Sequence, residues 1–147
     1  MQSPPVSRAA TRSLREIVEV SREFEHHVGA QLSINATDLA AMEHLIASGP
    51  LGPTELARRL RITPPAATAV VDRLSALGHA SRVSHPTDRR GVVITPAPDS
   101  VKQAMGILMP MISDVDSVLD AFDDEEQAVI AAYLERVVAA YRAHLPA

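Results

Sequence analysis

The sequence predicts a mainly α-helical fold with one small β-hairpin wing: a winged helix-turn-helix domain flanked by terminal dimerisation helices. Three observations predict it. Two short capped helices follow one another between Pro53 and Leu77, a β-branched hairpin follows them directly, and helical apolar stripes precede and follow the unit.

From about Ser7 to Ala30, Leu14, Ile17, Val18, Phe24 and Val28 recur at mostly helical spacing, with Arg and Glu between them. After a break at Ser33 to Ala36, Thr37 is the expected cap of a second helix bearing Leu39, Met42, Leu45 and Ile46, which Gly49-Pro50 ends. The third helix, Pro53 to Leu60, has Gly52 at its N-cap, Pro53 at its first position and Glu55 near the positive end of its dipole. Leu56, Ala57 and Leu60 share its inner face. A short turn from Arg61 leads to Thr63, whose hydroxyl is the expected cap of a fourth helix that starts at Pro64 and runs to about Leu77, with Gly78 as its stop. Ser81 to Ser84 and Gly91 to Thr95 are β-branched runs around His85-Pro86-Thr87-Asp88, in which Pro86 and Asp88 supply turn chemistry. Thr95-Pro96 repeats the cap-plus-proline signal for a long helix to about Ala121, with a kink expected at Pro110. Asp123 and Glu126 then form a capping-box variant, opening a last helix with Val129, Ile130, Leu134, Val137, Val138 and Tyr141 on its apolar face.

These elements imply an N-terminal dimerisation helix over residues 1–36, a winged domain over 37–96 and C-terminal dimerisation helices over 97–147. The terminal stripes exceed what a small winged domain covers alone, and a two-fold dimer would set two fourth helices about 34 Å apart, one turn of duplex DNA.

Composition narrows the function. With 147 residues there is room for one compact domain with helical extensions, and with 3% aromatics the core must be built from Ala, Val, Leu and Ile. No cysteine is present, which excludes disulfides, thiolate metal sites and cysteine nucleophiles. The opening MQSPPVSRAATRSLRE lacks the apolar core of a signal peptide, and no run is apolar enough to span a membrane, so a cytoplasmic protein with no membrane partner is expected. The net charge of −4 is unevenly spread: between residues 54 and 93, Arg58, Arg59, Arg61, Arg73, Arg82, Arg89 and Arg90 face only Glu55, Asp72 and Asp88. A basic unit with acidic flanks is drawn to phosphates by one face only.

The candidate DNA contacts follow from that unit. In a helix-turn-helix the second helix enters the major groove, and an arginine-bearing hairpin beside it reaches a flanking minor groove. Arg89 and Arg90 are the expected wing contacts, Arg58, Arg59 and Arg61 the candidate phosphate contacts, and Thr63, Thr68 and Arg73 the polar groups left to read bases. Asp72 is expected to pair with a wing arginine and hold the wing against the fourth helix, while Asp88 shapes the wing turn. The competing reading is a winged-helix protein-interaction module that does not read DNA, and the arginine wing argues against it.

Other chemistry finds little support. His26, His27 and His44, with Glu23, Glu25 and Glu43, have no chelating spacing, so packing or surface roles and no metal are expected. Ser84, His85 and Asp88 share one hairpin without oxyanion donors, so no catalytic residue and no cofactor is assigned.

The ELARRL helix, the VDRLSALGHASR junction and above all HPTDRRGVVIT resemble the MarR family of bacterial transcriptional regulators, over essentially the whole chain. The resemblance implies a homodimer of winged domains on a pseudo-palindromic operator. It also implies a repressor released by a small, often aromatic or anionic, effector that enters a cleft between the two regions. One departure stands out: the recognition helix offers Pro65 and Ala69 where the family commonly has polar residues. Shape and wing insertion are therefore expected to outweigh major-groove hydrogen bonds.

Overall fold

The computed structural model describes residues 7–147; residues 1–6, on which part of the leader reading rests, lie outside the described residues. The elements are α1 (Ala9–Leu32), α2 (Ala36–Ser48), α3 (Pro53–Leu60), α4 (Pro64–Ala76), β1 (Ala80–Ser84), β2 (Val92–Pro96), α5 (Pro98–Ser117), a 3₁₀ turn (Val118–Ala121) and α6 (Asp124–Ala143). They fall into two compact units, one ending at Ile107 and the other running from Leu108 to Ala147.

Caps decide most boundaries. Pro53 opens α3 behind Gly52, and the Thr63 hydroxyl accepts the amide of Ala66 at 3.3 Å to open α4. Asp123 and Glu126 cap α6 reciprocally, each side chain accepting the other residue's amide.

Two expected caps are displaced. The cap of α2 is Asn35, whose Oδ1 accepts the Asp38 amide at 2.8 Å, while Thr37 lies inside the first turn. Pro96 does not open a helix; it pairs with Ala80 at the end of β2, and Pro98 takes the first helical position. The reason is that the Ala97 amide donates to the His79 carbonyl at 2.8 Å, prolonging the extended backbone by a residue before the helix begins. α5 then passes through Pro110 as helix to Ser117 and tightens into the 3₁₀ turn. The proline leaves the carbonyl one turn earlier, that of Gly106, without its usual donor.

The hairpin is antiparallel, with Arg82 opposite Ile94 and Val83 opposite Val93. Leu51 adds a bridge that sequence reading did not anticipate, exchanging backbone bonds with Ile94 at 3.1 and 2.7 Å. It ties the α2–α3 connection to the wing. The core lies beneath: Met42 and Leu45 of α2, Leu56 of α3, Val70, Val71 and Leu74 of α4, and Ile94 of β2. It contains no aromatic ring, and Met42 joins the Ala, Val, Leu and Ile expected from the composition.

The terminal helices contrast with this core. α1 buries only Val28, Gly29 and Leu32, and α6 buries nothing. Ile17 and Val20 on α1 are exposed, as are Met109, Ile112 and Val115 on α5 and Val129, Leu134, Val138 and Tyr141 on α6. No helix among the described residues is long and apolar enough to cross a membrane.

A buried histidine roots the wing. His79, 8% exposed, lies between α4 and β1, with Nε2 2.7 Å from the Leu32 carbonyl and Nδ1 2.8 Å from the Ser100 hydroxyl. A carbonyl only accepts, so Nε2 carries a proton and donates it to Leu32. One ring therefore joins the end of α1, the start of the wing and the start of α5. Replacing His79 with Ala strands the Leu32 carbonyl and leaves a void, with an expected loss of about 2–4 kcal/mol in urea denaturation. A variant within about 0.5 kcal/mol of the parent would show that the ring bears no such load.

Candidate nucleic-acid interface

Helix α4 turns Ala67, Val70, Val71 and Leu74 into the core. Its opposite side, from Thr63 through Pro65, Ala66, Thr68 and Ala69 to Asp72 and Arg73, is exposed. Polar groups on that face are already engaged. The Thr63 hydroxyl caps the helix, and the Thr68 hydroxyl donates back to the Pro64 carbonyl at 3.2 Å. Thr63 therefore still has its proton to donate, whereas Thr68, whose proton is spent on the Pro64 carbonyl, offers a base edge mainly acceptance.

Arg73, expected among the base-reading groups, is held elsewhere. Its Nε and Nη2 donate to the two carboxylate oxygens of Asp38 at 3.0 and 2.8 Å, and that carboxylate is buried, the residue being 2% exposed. The hydrogen bonds to Asp38 raise the pKa of the guanidinium above its ordinary value. A buried carboxylate needs such a partner, and a bidentate arginine is the best available. Sequence reading missed Asp38 because its partner lies 35 residues away; the one signal was a carboxylate set directly before the apolar run from Leu39 to Met42.

The other arginines divide in the same way. Glu55 on α3 accepts from Arg58 at 2.9 and 2.6 Å and from Arg59 at 2.8 Å, and Arg59 also reaches Ser48. These bonds hold the Glu55 carboxyl at about 2, well below the usual carboxylate range. Arg82 on β1 donates to Asp72 on α4 at 2.6 Å, linking the wing strand to the recognition helix. Among the described residues, Arg61, Arg89 and Arg90 carry no ion pair. Arg61 adopts a left-handed conformation in the turn, with φ 54°, and Arg89 and Arg90 stand at the wing tip. At that tip Asp88 Oδ1 accepts the Arg90 amide at 3.0 Å and its carbonyl accepts the Gly91 amide at 3.0 Å, so Asp88 closes the turn that carries both arginines.

The histidines scatter. Among the described residues no three of His, Asp and Glu come together as a metal set. His26, Arg22, Glu25 and Glu43 rim a cleft of about 530 Å³ between α1 and α2, floored by Ile34 and Leu39. Burial and the facing Glu25 push the Glu43 carboxyl up.

A capped recognition helix buttressed by two preceding helices, beside a hairpin with cationic groups at its tip, defines a winged helix-turn-helix protein. The sequence profile of the MarR family matches residues 32–91. The chain is 31% identical over 110 residues to the HTH-type transcriptional regulator YcgE of Bacillus subtilis, an alignment covering 74% of this chain and 71% of that one. Among solved structures, a MarR family protein from Bacillus stearothermophilus superposes with a TM-score of 0.69 at 22% identity, over 90% of this chain and 93% of that one. A mutant of S. aureus MepR bound to oligodeoxyribonucleotide superposes at 0.63 and 16% identity, over 92% and 99%. NadR in complex with 4-hydroxyphenylacetate superposes at 0.60 and 18%, over 93% and 97%. The chain belongs to the MarR family and is a DNA-binding transcriptional regulator.

Two outcomes test the ion pairs. Arg73→Ala leaves the Asp38 carboxylate buried without a counter-charge, so its melting temperature is expected to fall, whereas the double change Asp38→Asn, Arg73→Leu recovers much of the loss. A single variant that melts like the parent would rule out a structural role. For Glu55, the depressed carboxyl contributes stability that is complete above about pH 4.5 and is lost as pH falls towards about 2. The melting difference between the parent and Glu55→Gln is therefore expected to shrink through that window, by a small amount because the pair is exposed. A difference independent of pH would contradict it.

Proposed function

We propose that this regulator is a homodimeric, non-enzymatic, cytoplasmic repressor that grips a pseudo-palindromic operator mainly through its wings and is released by a small-molecule effector. The observation carrying the reading is the position of the unpaired arginines. Arg61 lies at the turn before α4 and Arg89 and Arg90 at the wing tip, whereas Arg58, Arg59 and Arg73 have carboxylate partners within their own protomer. Phosphate and minor-groove contact then falls to Arg61, Arg89 and Arg90. The face of α4, with Pro65, Ala66 and Ala69, contributes shape and methyl contacts more than hydrogen bonds. Thr63 and Thr68 remain its polar readers. Asp72, through Arg82, and Asp88, through the tip turn, hold the wing in place.

The dimer is supported by the apolar faces of α1, α5 and α6, which a single chain leaves in water. Occupation of a promoter by such a dimer blocks transcription without any further surface. The cleft between α1 and α2 is the candidate effector site: its floor is apolar, and Arg22 on its rim suits an aromatic acid such as the 4-hydroxyphenylacetate of the NadR complex. An effector acts only if it binds the DNA-incompetent arrangement better than the competent one.

Gel shifts at varied salt test the wing. Three unpaired arginines per protomer correspond to a slope of log affinity against log salt of roughly −5 for the dimer. Arg89→Ala and Arg90→Ala are each expected to weaken operator binding by about 1–3 kcal/mol while leaving the melting temperature unchanged. Parent-like affinity in the double variant would sink the wing assignment. Assembly is tested by truncation before Asp123, which removes the stripe from Val129 to Tyr141 and is expected to give a monomeric or poorly soluble protein in sedimentation. A soluble dimer of that fragment would place the interface elsewhere.

A further inference from the structure

The tip of the hairpin contains a second side-chain-closed turn, built on a residue that turn statistics do not favour. His85, directly after β1, aims Nδ1 back at its own loop, where it accepts the amide of Thr87 at 3.2 Å and the amide of Asp88 at 3.1 Å, with the Thr87 hydroxyl at 3.3 Å. An acceptor ring nitrogen carries no proton, so the proton of the neutral imidazole sits on Nε2, at the exposed edge of the ring. In a histidine Nδ1 is the same number of bonds from Cα as Oδ1 in an asparagine. The side chain therefore closes the loop as an Asx turn does, which explains why composition-based turn signals passed it over.

The backbone is shaped around this ring. The His85 amide donates to the Gly91 carbonyl at 2.9 Å, so the two residues face each other across the base of the tip. A Cβ on Gly91 would lie 3.0 Å from the His85 Cβ, 3.4 Å from its Cγ and 3.4 Å from the Asp88 carbonyl oxygen, so a larger residue at 91 would require the His85 side chain to give by a few tenths of an ångström. Between these positions sit Arg89 and Arg90, with Asp88 holding the Arg90 amide in a turn of its own.

We propose that His85 is a positioning residue of the DNA-binding wing: its Nδ1 orders the tip through the Thr87 and Asp88 amides, so that Arg89 and Arg90 reach DNA already placed. The inference rests on the reading that these two arginines contact DNA. Its physical content is preorganisation. Without the acceptor the loop samples many conformations, and the entropy of ordering it falls on the binding step.

The test uses the full-length protein, operator-length duplex and three substitutions, with amide hydrogen exchange of the free protein as a readout independent of DNA. His85→Ala is expected to weaken binding about tenfold, the order for two lost neutral hydrogen bonds, and to accelerate exchange at Thr87 and Asp88. His85→Asn keeps an acceptor at the same reach and is expected to bind within about twofold of the parent, with slow exchange retained. Gly91→Ala is expected to resemble His85→Ala. The tip is exposed, so all three should melt as the parent does. Parent-like binding by His85→Ala overturns the proposal. So does His85→Asn as weak as His85→Ala, because the ring itself would then be the DNA contact. If Arg89→Ala with Arg90→Ala leaves affinity unchanged, the wing reading fails instead, and the exchange rates alone decide whether His85 orders the tip.

Discussion

The Asp38 carboxylate is buried at the start of α2, and a charge in that position is tolerable only if a cation reaches it. Arg73 does so from α4 with two parallel hydrogen bonds, and the pair therefore locks the recognition helix to the helix behind it. This constraint sets the orientation of α4. It also removes from the reading face the strongest base-reading group that face possesses, since bidentate guanine contacts are made by arginine. The helix that would enter the groove is left with proline, alanine and threonine. The arginines without an ion pair in this unit lie at the turn and on the wing.

The same logic runs through the rest of the basic unit. Seven arginines between residues 54 and 93 suggest a broad cationic face, yet Glu55, Asp38 and Asp72 engage four of them. What remains is concentrated at Arg61, Arg89 and Arg90. Such pairs are individually weak when exposed, so their value lies in geometry more than in stability. Arg82 and Asp72 illustrate it, since the link joins a strand of the wing to the helix it flanks.

The wing is consequently anchored at three heights. At its root, His79 bonds the end of α1 and the start of α5. Midway, Arg82 reaches Asp72 and Leu51 extends the sheet beneath Ile94. At its tip, His85 accepts the amides of Thr87 and Asp88, and Asp88 accepts that of Arg90, closing successive turns. A hairpin of five-residue strands has little stability of its own, so these attachments are what allow it to present two arginines in a defined place.

Local chemistry was legible in the sequence wherever a few neighbouring residues decide the outcome. The Gly52-Pro53 and Thr63-Pro64 helix starts, the Asp123/Glu126 capping box, the hairpin around residues 85–88 and an aromatic-free core all follow from spacing and composition. Reading failed where two local signals competed. Asn35 and Thr37 are both good caps, and only the turn closing α1 selects the first; Thr95-Pro96 imitates a helix start, and only the His79 carbonyl keeps the strand running past it. The partners of the charged groups belonged to tertiary structure altogether. Charge along a sequence counts arginines but does not say which meet a carboxylate, because Arg73 with Asp38 and His79 with Leu32 and Ser100 depend on helices brought together by core packing. The sequence by itself determined that this protein is a winged DNA-binding regulator; the packing of α2 against α4 decided that Arg73 is spent on the buried Asp38.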